Sequence, residues 1–498
     1  MRIIQFIQTS KYLTLLLLLI LALVIKGIYI GQMGIGADEA FSVYTAQLSP
    51  LKIIQWLNTG DNPPLWELVM HYWIQGFGLS EISVRFPAYL FNVLTVIPIF
   101  LIGDRFVNRK AAVFASLLFI FSSLSLFLAH EARVYSLLGF LGALSVYSFL
   151  SAIKSPNMVK YLVILTICNG LILYSHYLGY WLVLVQMILF VGYKPIRQSL
   201  KFRYLVHLGL LFLVFSPLIP VIIDRFYVSG LNGTWVSKSE GIVDLYNMLW
   251  KFSNKPLATV LFIALFIASI FKRLTARHIS QKSIPYINFI HCFVWLPLLA
   301  SFLISFKIGF FLDRYFYFLL PFFYLSIAAV SSWLFSQYLK LNLAVHLILI
   351  LVMIFSFNIS TKDNKMSGFH QDTKSVAFEV AKYNKHEQTA IIICPDWYDK
   401  EVVYYLDRNL FSTYFNKYNE RSVFKIPLNE QFIYPVNHFS EIELESSIKS
   451  IVFVDRAANF HSPENGVEAY LDKTYSYQEA YSIDGVTFRI FDNKNPSK

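Results

Sequence analysis

The chain has 498 residues, of which 56% are hydrophobic, 17% aromatic and 15% charged, with a mean hydropathy of +0.52. Soluble globular chains carry about 25% charged residues, so a disordered chain, a collagen, a coiled coil and a purely soluble enzyme are excluded. Long Leu/Ile/Phe/Val tracts up to about residue 359, followed by mixed sequence, describe a polytopic α-helical membrane protein with a soluble tail, and the formal net charge of +11 then has an ordinary source in cytoplasmic loops rather than in nucleic-acid binding.

A helix crosses a hydrocarbon core of about 30 Å with about 20 apolar residues. Eleven segments meet that standard, near 12–30, 86–103, 111–129, 136–153, 161–177, 178–192, 205–223, 256–271, 287–305, 315–335 and 343–359. The first has an apolar run too long for a signal-peptide core and reads as a retained anchor, with Lys26 expected to snorkel at its outer end. With the N-terminus inside, the inner segments (1–11, 104–110, 154–160, 193–204, 272–286 and 337–342) hold 16 Lys/Arg and one acid, Asp104. The outer segments are longer yet hold 9 Lys/Arg and 10 Asp/Glu. This positive-inside bias sets the N-terminus in the cytoplasm and the tail outside the plasma (inner) membrane.

The first outer loop, 31–85, is longer than a connector requires. It carries the acidic pair Asp38-Glu39 and then GDNPPLWELVMHYW, where Pro63-Pro64 precedes apolar and aromatic residues at helical spacing. Neighbouring carboxylates repel, which raises proton affinity and suits a general base. Asp38 can equally cap a helix starting at about Glu39. The next outer loop is HEARVYS, in which His130, Glu131, Arg133 and Tyr135 crowd between apolar tracts. Ionisable groups at such depth are functional by default, the alternative being an internal Glu131–Arg133 bridge that fastens two helices. His176 lies at the junction of the fifth and sixth spans, where a satisfied structural histidine is the plainer reading. The last outer turn carries Lys307, Asp313 and Arg314-Tyr315; Arg314 can present a fork of donors to a phosphate or snorkel to the interface.

Residues 360–498 differ in kind. TAIIICP (389–395), SIVFVD (450–455) and VTFRIFD (486–492) read as strands, and helical spacing starts at Asp372 and Asp399, both candidate N-caps. A small α/β domain follows, acting as a lid without catalytic groups. Cys168, Cys292 and Cys394 read as small buried hydrophobes.

Carboxylates (Asp38, Glu39, Glu131), cations (Arg133, Lys307, Arg314) and a histidine thus fall on one side of greasy helices. That set suits a sugar carried on a polyprenyl phosphate: the isoprenoid lies along the helices, cations meet the phosphate, and a carboxylate deprotonates the acceptor hydroxyl. No ligand cluster specifies a cofactor; a divalent metal stays open without being indicated.

On Asp38-Glu39, Pro63-Pro64, Glu131-Ala132-Arg133 with Tyr135, and Arg314-Tyr315, the chain resembles GT-C fold glycosyltransferases of the dolichyl-phosphate-mannose–protein mannosyltransferase superfamily, similar to bacterial glycosyltransferase family 39 and aminoarabinose-transferase-like proteins. The resemblance covers nearly the whole chain, with a catalytic membrane domain over 1–359 and an extracytoplasmic domain over 360–498. It implies inverting transfer from a polyprenyl-phosphate sugar to a lipid, glycan or protein acceptor, with Asp38 as base and Glu131 at the second acidic position. Arg133, His176 and Arg314 would contact the donor, and Glu39, His130, Tyr135, Lys307 and Tyr315 complete the substrate-binding set. Asn62 stands where aminoarabinose transferases have a Lys, and residues 224–255 form only a modest loop, unlike the large lumenal insertion of eukaryotic relatives. A lipid-linked-sugar flippase or secondary transporter, and an inactive scaffold, are the competing classes; repeated halves and broken mid-membrane helices, which mark transporters, are not evident in the sequence.

Overall fold

The computed structural model describes residues 10–32, 34–58, 62–232, 234, 236–275, 284–358, 373–384, 388–407, 432–461 and 463–493. A helix occupies each of the eleven predicted segments, but the count of eleven spans is not established. Among the described residues seven helices are long and apolar enough to cross a membrane: Glu81–Val107, Tyr135–Lys154, Lys194–Arg225, Pro256–Leu274, Tyr286–Ser305, Asp313–Leu334 and Leu339–Ser356. An eighth arises if the bent pair Arg109–Ile120 and Ser123–Ala129 is one span. The first helix, Lys11–Gly27, has 17 residues, and Met158–Leu173 and Tyr177–Gly192 are shorter apolar helices. The protein is thus a multi-pass membrane protein.

The chain divides into two units. The first comprises Met1–Ile30, Ile54–Val69 and Arg85–Met366; the second gathers Gly31–Ile53, Met70–Val84 and Ser367–Lys498. Two pieces of the long first loop therefore cluster with the tail.

In the first unit burial grades the helices. The Asp313–Leu334 span is 94% buried, whereas Lys194–Arg225 is 17% buried and turns Phe202, Leu205, Phe212 and Leu213 outward. Only a lipid solvent tolerates such an outer face, so the first is the hub and the second a lipid-facing wall. Helices approach one another closely where side chains are absent. A Cβ on Gly139 would come within 2.9 Å of the Tyr317 ring, and one on Gly103 within 2.5 Å of the Ala112 Cα.

Polar side chains fasten the bundle from within. Asn92 Nδ2 donates to Tyr317 Oη (2.7 Å) and Ser125 O (2.9 Å), while Ser125 Oγ donates to Asn92 Oδ1 (3.1 Å) and Ser136 Oγ to Leu128 O (2.9 Å). One knot so joins four helices. The predicted span 111–129 does not run straight but bends by 62°. Ser122 Oγ accepts from Ser125 N (3.2 Å) and starts the second piece, Asn254 Nδ2 donates to Phe121 O (2.8 Å), and Asn254 Oδ1 accepts from Ser123 N (2.8 Å), so the groups freed by the bend are satisfied.

Lys26 does not snorkel. It is fully buried, and its Nζ donates to Phe119 O (3.3 Å) and Ser122 O (3.2 Å) on either side of the same bend, with the Phe119 and Phe357 rings at 5.7 and 5.9 Å. The bend exposes carbonyls that an ammonium satisfies better than lipid headgroups could.

The second unit holds a five-stranded sheet in the order β2-β1-β3-β5-β4, with β1 Thr389–Cys394, β2 Ile433–Pro435, β3 Ser450–Asp455, β4 Ser476–Ile483 and β5 Val486–Asp492. β1 is parallel to β2 and β3, with Ile391 opposite Ile433 and Val452, and β5 is antiparallel to β3 and β4. Asp484 and Gly485, at φ 47° and 81°, make the two-residue hairpin that joins β4 to β5. Cys394 and Cys168 are buried and Cys292 half-buried, and all are free thiols. Asp399 is the first helical residue of Asp399–Leu406 rather than its cap, because Tyr398 takes that place; Asp372 lies outside the described residues.

Replacing Lys26 by Met keeps the apolar stem but removes the ammonium from the Phe119 and Ser122 carbonyls, which retain the backbone donors Ser122 N (3.3 Å) and Leu126 N (3.0 Å). A hydrogen bond from a charged donor contributes about 1.5–3 kcal/mol, so Lys26→Met is expected to lower stability by about 2–4 kcal/mol, read as a reduced melting temperature of the purified protein in detergent.

Candidate active site

Six of the predicted residues come together in the first unit. Glu131 and Arg133 sit in the bend that follows Ser123–Ala129, where Arg133 N donates to Glu131 O (2.7 Å) and Trp66 Nε1 donates to Ala132 O (3.0 Å). The loop is thereby pinned, and Tyr135 opens the next helix. Glu131 Oε1 lies 3.6 Å from Nη1 of Arg314, almost two hundred residues later in the chain. Arg314 therefore points inward rather than snorkelling, and Asp313 holds the turn by accepting from Arg314 N (2.8 Å) while pairing with Lys251 (2.9 Å).

Three rings close the cluster. His176 stands 5.5 Å from Tyr315 and 6.0 Å from Tyr135, whose rings are 6.3 Å apart, and Arg314 lies 5.8 Å over Tyr315. His176 is within electrostatic reach of Arg133 and Arg314, and its Nδ1 accepts from Leu178 N (3.2 Å), which leaves the Nε2 edge to meet a ligand. Glu131, Arg133, Tyr135 and His176 are buried and Arg314 is half-buried, so two guanidiniums and a carboxylate come together at low dielectric.

A cavity of about 800 Å³ adjoins this cluster within the same unit. His176 and Tyr315 form part of its wall, Trp181, Met187 and Phe215 much of its greasy surface, and Asn62 and Arg225 are further polar lining residues. Arg225, half-buried on the Ile219–Asn232 helix, is the one cation lining it among the described residues. The sequence gives Arg225 no motif; only its place one helical turn after Ile222, which also lines the cavity, marks it.

Two predicted residues stay outside the cluster. His130 is buried, with Nε2 against Lys26 O (2.6 Å), so it braces the bend. Lys307 is exposed, and no ring contact or ion pair of the cluster includes it among the described residues.

The acidic pair belongs to the second unit. Its helix runs Ala37–Ala46 with Gly36 as N-cap, two residues earlier than a cap at Asp38 would require. Glu39 is buried and closes the first turn by accepting from Gly36 N (3.0 Å). Asp38 is half-buried in that turn, so the capping alternative falls to Glu39 and not to Asp38. The helix after Pro63-Pro64 begins at Leu65, with Pro64 O accepting from Leu68 N (3.0 Å). Among the described residues no group of three or more His, Cys, Asp or Glu side chains could hold a metal ion.

Residues 61–223 match the family model of dolichyl-phosphate-mannose-protein mannosyltransferase. Among curated proteins no sequence matches the chain. The fold is similar to the crystal structure of ArnT from Cupriavidus metallidurans in the apo state (TM-score 0.62, 11% identity, 95% of this chain and 97% of that one). It is similar as well to the same protein bound to undecaprenyl phosphate (TM-score 0.60, 12% identity, the same coverage). The apo oligosaccharyltransferase of Archaeoglobus fulgidus matches with a TM-score of 0.54 and 11% identity over 95% of this chain and 74% of that one. The structural matches establish an ArnT-like GT-C fold for the chain, and residues 61–223 within it match the mannosyltransferase family model.

Proposed function

We propose that this chain is a glycosyltransferase that moves a sugar from a polyprenyl-phosphate donor to an acceptor hydroxyl on a lipid, glycan or protein, on the outer side of the plasma (inner) membrane. The transfer inverts the anomeric centre. The observation that carries this reading is the apolar cavity of about 800 Å³ whose wall includes His176 and Tyr315, beside Arg133 and Arg314. Greasy walls suit an isoprenoid, and buried guanidiniums suit the phosphate at its head. The similar ArnT fold that holds undecaprenyl phosphate supports the same donor class. The positive-inside bias supports a cytoplasmic N-terminus and an extracytoplasmic tail.

On this reading Asp38 takes the proton of the acceptor hydroxyl. The acceptor oxygen attacks the anomeric carbon opposite the phosphate, the bond from that carbon to the phosphate oxygen breaks, and polyprenyl phosphate leaves with the bonding pair. Arg133 and Arg314 stabilise the charge that grows on the leaving phosphate, Glu131 holds the Arg314 fork in place, and Arg225 offers a further cation in the cavity wall.

A radiolabel-transfer assay in membranes with a panel of polyprenyl-phosphate sugars tests this. Asp38→Asn is expected to lower kcat by about 10²–10⁴-fold, the usual worth of a general base, with donor KM little changed; transfer at the wild-type rate would remove Asp38 as base. Arg314→Ala is expected to raise donor KM and lower kcat, together about tenfold or more, since a charge-assisted hydrogen bond contributes about 1.5–3 kcal/mol. Arg314→Lys should lose less, and unchanged donor constants in the Ala variant would sink the phosphate role.

A further inference from the structure

We infer that Glu401, on the Asp399–Leu406 helix of the tail, is a positioning residue for Asp38: a buried carboxyl that sets the charge beside the acidic pair and with it the strength of Asp38 as a base. The inference rests on Asp38 being the base, and it lies wholly within the second unit.

The tail grips the segment that carries the pair. The Ala37–Ala46 and Asp399–Leu406 helices pack on each other. Tyr405 Oη accepts from Ile35 N (2.7 Å), and a Cβ on Gly34 would stand 3.5 Å from the backbone N of both Thr373 and Lys374. Tyr404 donates its hydroxyl to Leu79 O, and Lys374 pairs with Glu81 at 3.3 Å. Glu401 precedes Tyr405 by four residues and so shares its helix face.

Glu401 is 1% exposed. Thr373 Oγ1 donates to its Oε2 (2.7 Å), and Arg456 Nη1 lies 3.7 Å from its Oε1. Arg456 is itself held between the Trp397 and Tyr398 rings at 4.8 and 4.7 Å. Asp38 and Glu39, on the facing helix, are within electrostatic reach. Asp399, on the same helix, is paired with Lys400 (3.2 Å). A carboxyl buried only to make a salt bridge would have its proton affinity lowered by its partner. Here burial, with the charges of Asp38 and Glu39 adding to it, outweighs Arg456 and Thr373 and pushes the Glu401 carboxyl up to about 7. Both carboxylates of the pair therefore respond to the charge on Glu401, and Asp38 is the one that the transfer reading uses as base.

The sign follows. Below pH about 7 Glu401 is neutral, and above it the anion raises the proton affinity of Asp38 and strengthens it as a base. Wild-type kcat/KM for transfer should rise through an ionisation near 7. Glu401→Gln fixes the neutral state, so the rise should vanish and the rate at pH 8.5 fall by about three- to tenfold. Thr373→Val removes a donor that favours the anion and should move the rise to higher pH. A carboxyl with a raised folded value contributes stability only below its unfolded range and loses it as pH climbs through the folded value, so Glu401→Gln should melt no lower than wild type at pH 8. Profiles of both variants that parallel the wild type would overturn the inference, as would a lower melting temperature of Glu401→Gln at pH 8 with an unaltered profile, the mark of a purely structural carboxyl. A wild-type protein inert with every donor would instead overturn the transfer reading, and this inference with it.

Discussion

In a lipid solvent every buried polar group must find its partner inside the protein, and that requirement shapes the membrane unit more than apolar packing does. The apolar faces of its outer helices are as content against lipid as against each other, so they fix little. The fixed points are polar: the Asn92, Ser125, Ser136 and Tyr317 knot, the Asn169 Nδ2 to Gln186 Oε1 bond (2.7 Å) continued from Gln186 Nε2 to Ser145 Oγ (2.8 Å), and Lys26 across the bend at Phe121-Ser122. Each joins helices distant in sequence and gives a lipid-soluble bundle one register.

The site inherits its geometry from those points. The knot is adjacent to it in sequence, since Tyr135 precedes Ser136 and Tyr315 lies two residues before Tyr317. Holding Ser136 and Tyr317 therefore holds the two rings that flank His176. The bend does the rest: Lys26 satisfies its carbonyls and, through its own carbonyl, engages His130. Glu131 thus leaves the helix axis and meets Arg314, a pair that a straight span through residue 129 would not form. Asp104, the single acid of the inner segments, works similarly at the other end of the chain's polarity, binding both Lys11 and Arg109.

Much of this was legible in the sequence because it depends on period and composition. Apolar runs located the helices, and crowding of ionisable residues in HEARVYS and at Arg314-Tyr315 located the cluster. What escaped depends on three-dimensional partners. Lys26 has the sequence context of a snorkelling residue, and only the bend creates carbonyls for it. Arg225 sits in an ordinary loop-facing stretch and gains meaning from a cavity that sequence spacing does not encode. β4, SYQEAYSI, is a largely exposed edge strand without apolar alternation, and β2 has three residues, so neither carries a strand period. The Asp484-Gly485 turn before β5 was the available signal for β4. Glu401 hides for the same reason as Lys26: it looks like a surface helix residue until the Ala37–Ala46 helix covers it.

The two units end with opposite local charge. The membrane cluster sets Arg133 and Arg314 against Glu131 beside a greasy cavity. The second unit sets Asp38, Glu39 and Glu401 against a held Arg456. Gathering buried like charges costs stability, since they repel and a low dielectric magnifies the cost. Acceptor activation calls for an anion-rich site that draws a proton, and departure of a phosphate calls for a cation-rich one that receives charge. The proposed sugar transfer from a lipid phosphate draws on both, which gives each grouping a chemical reason to persist.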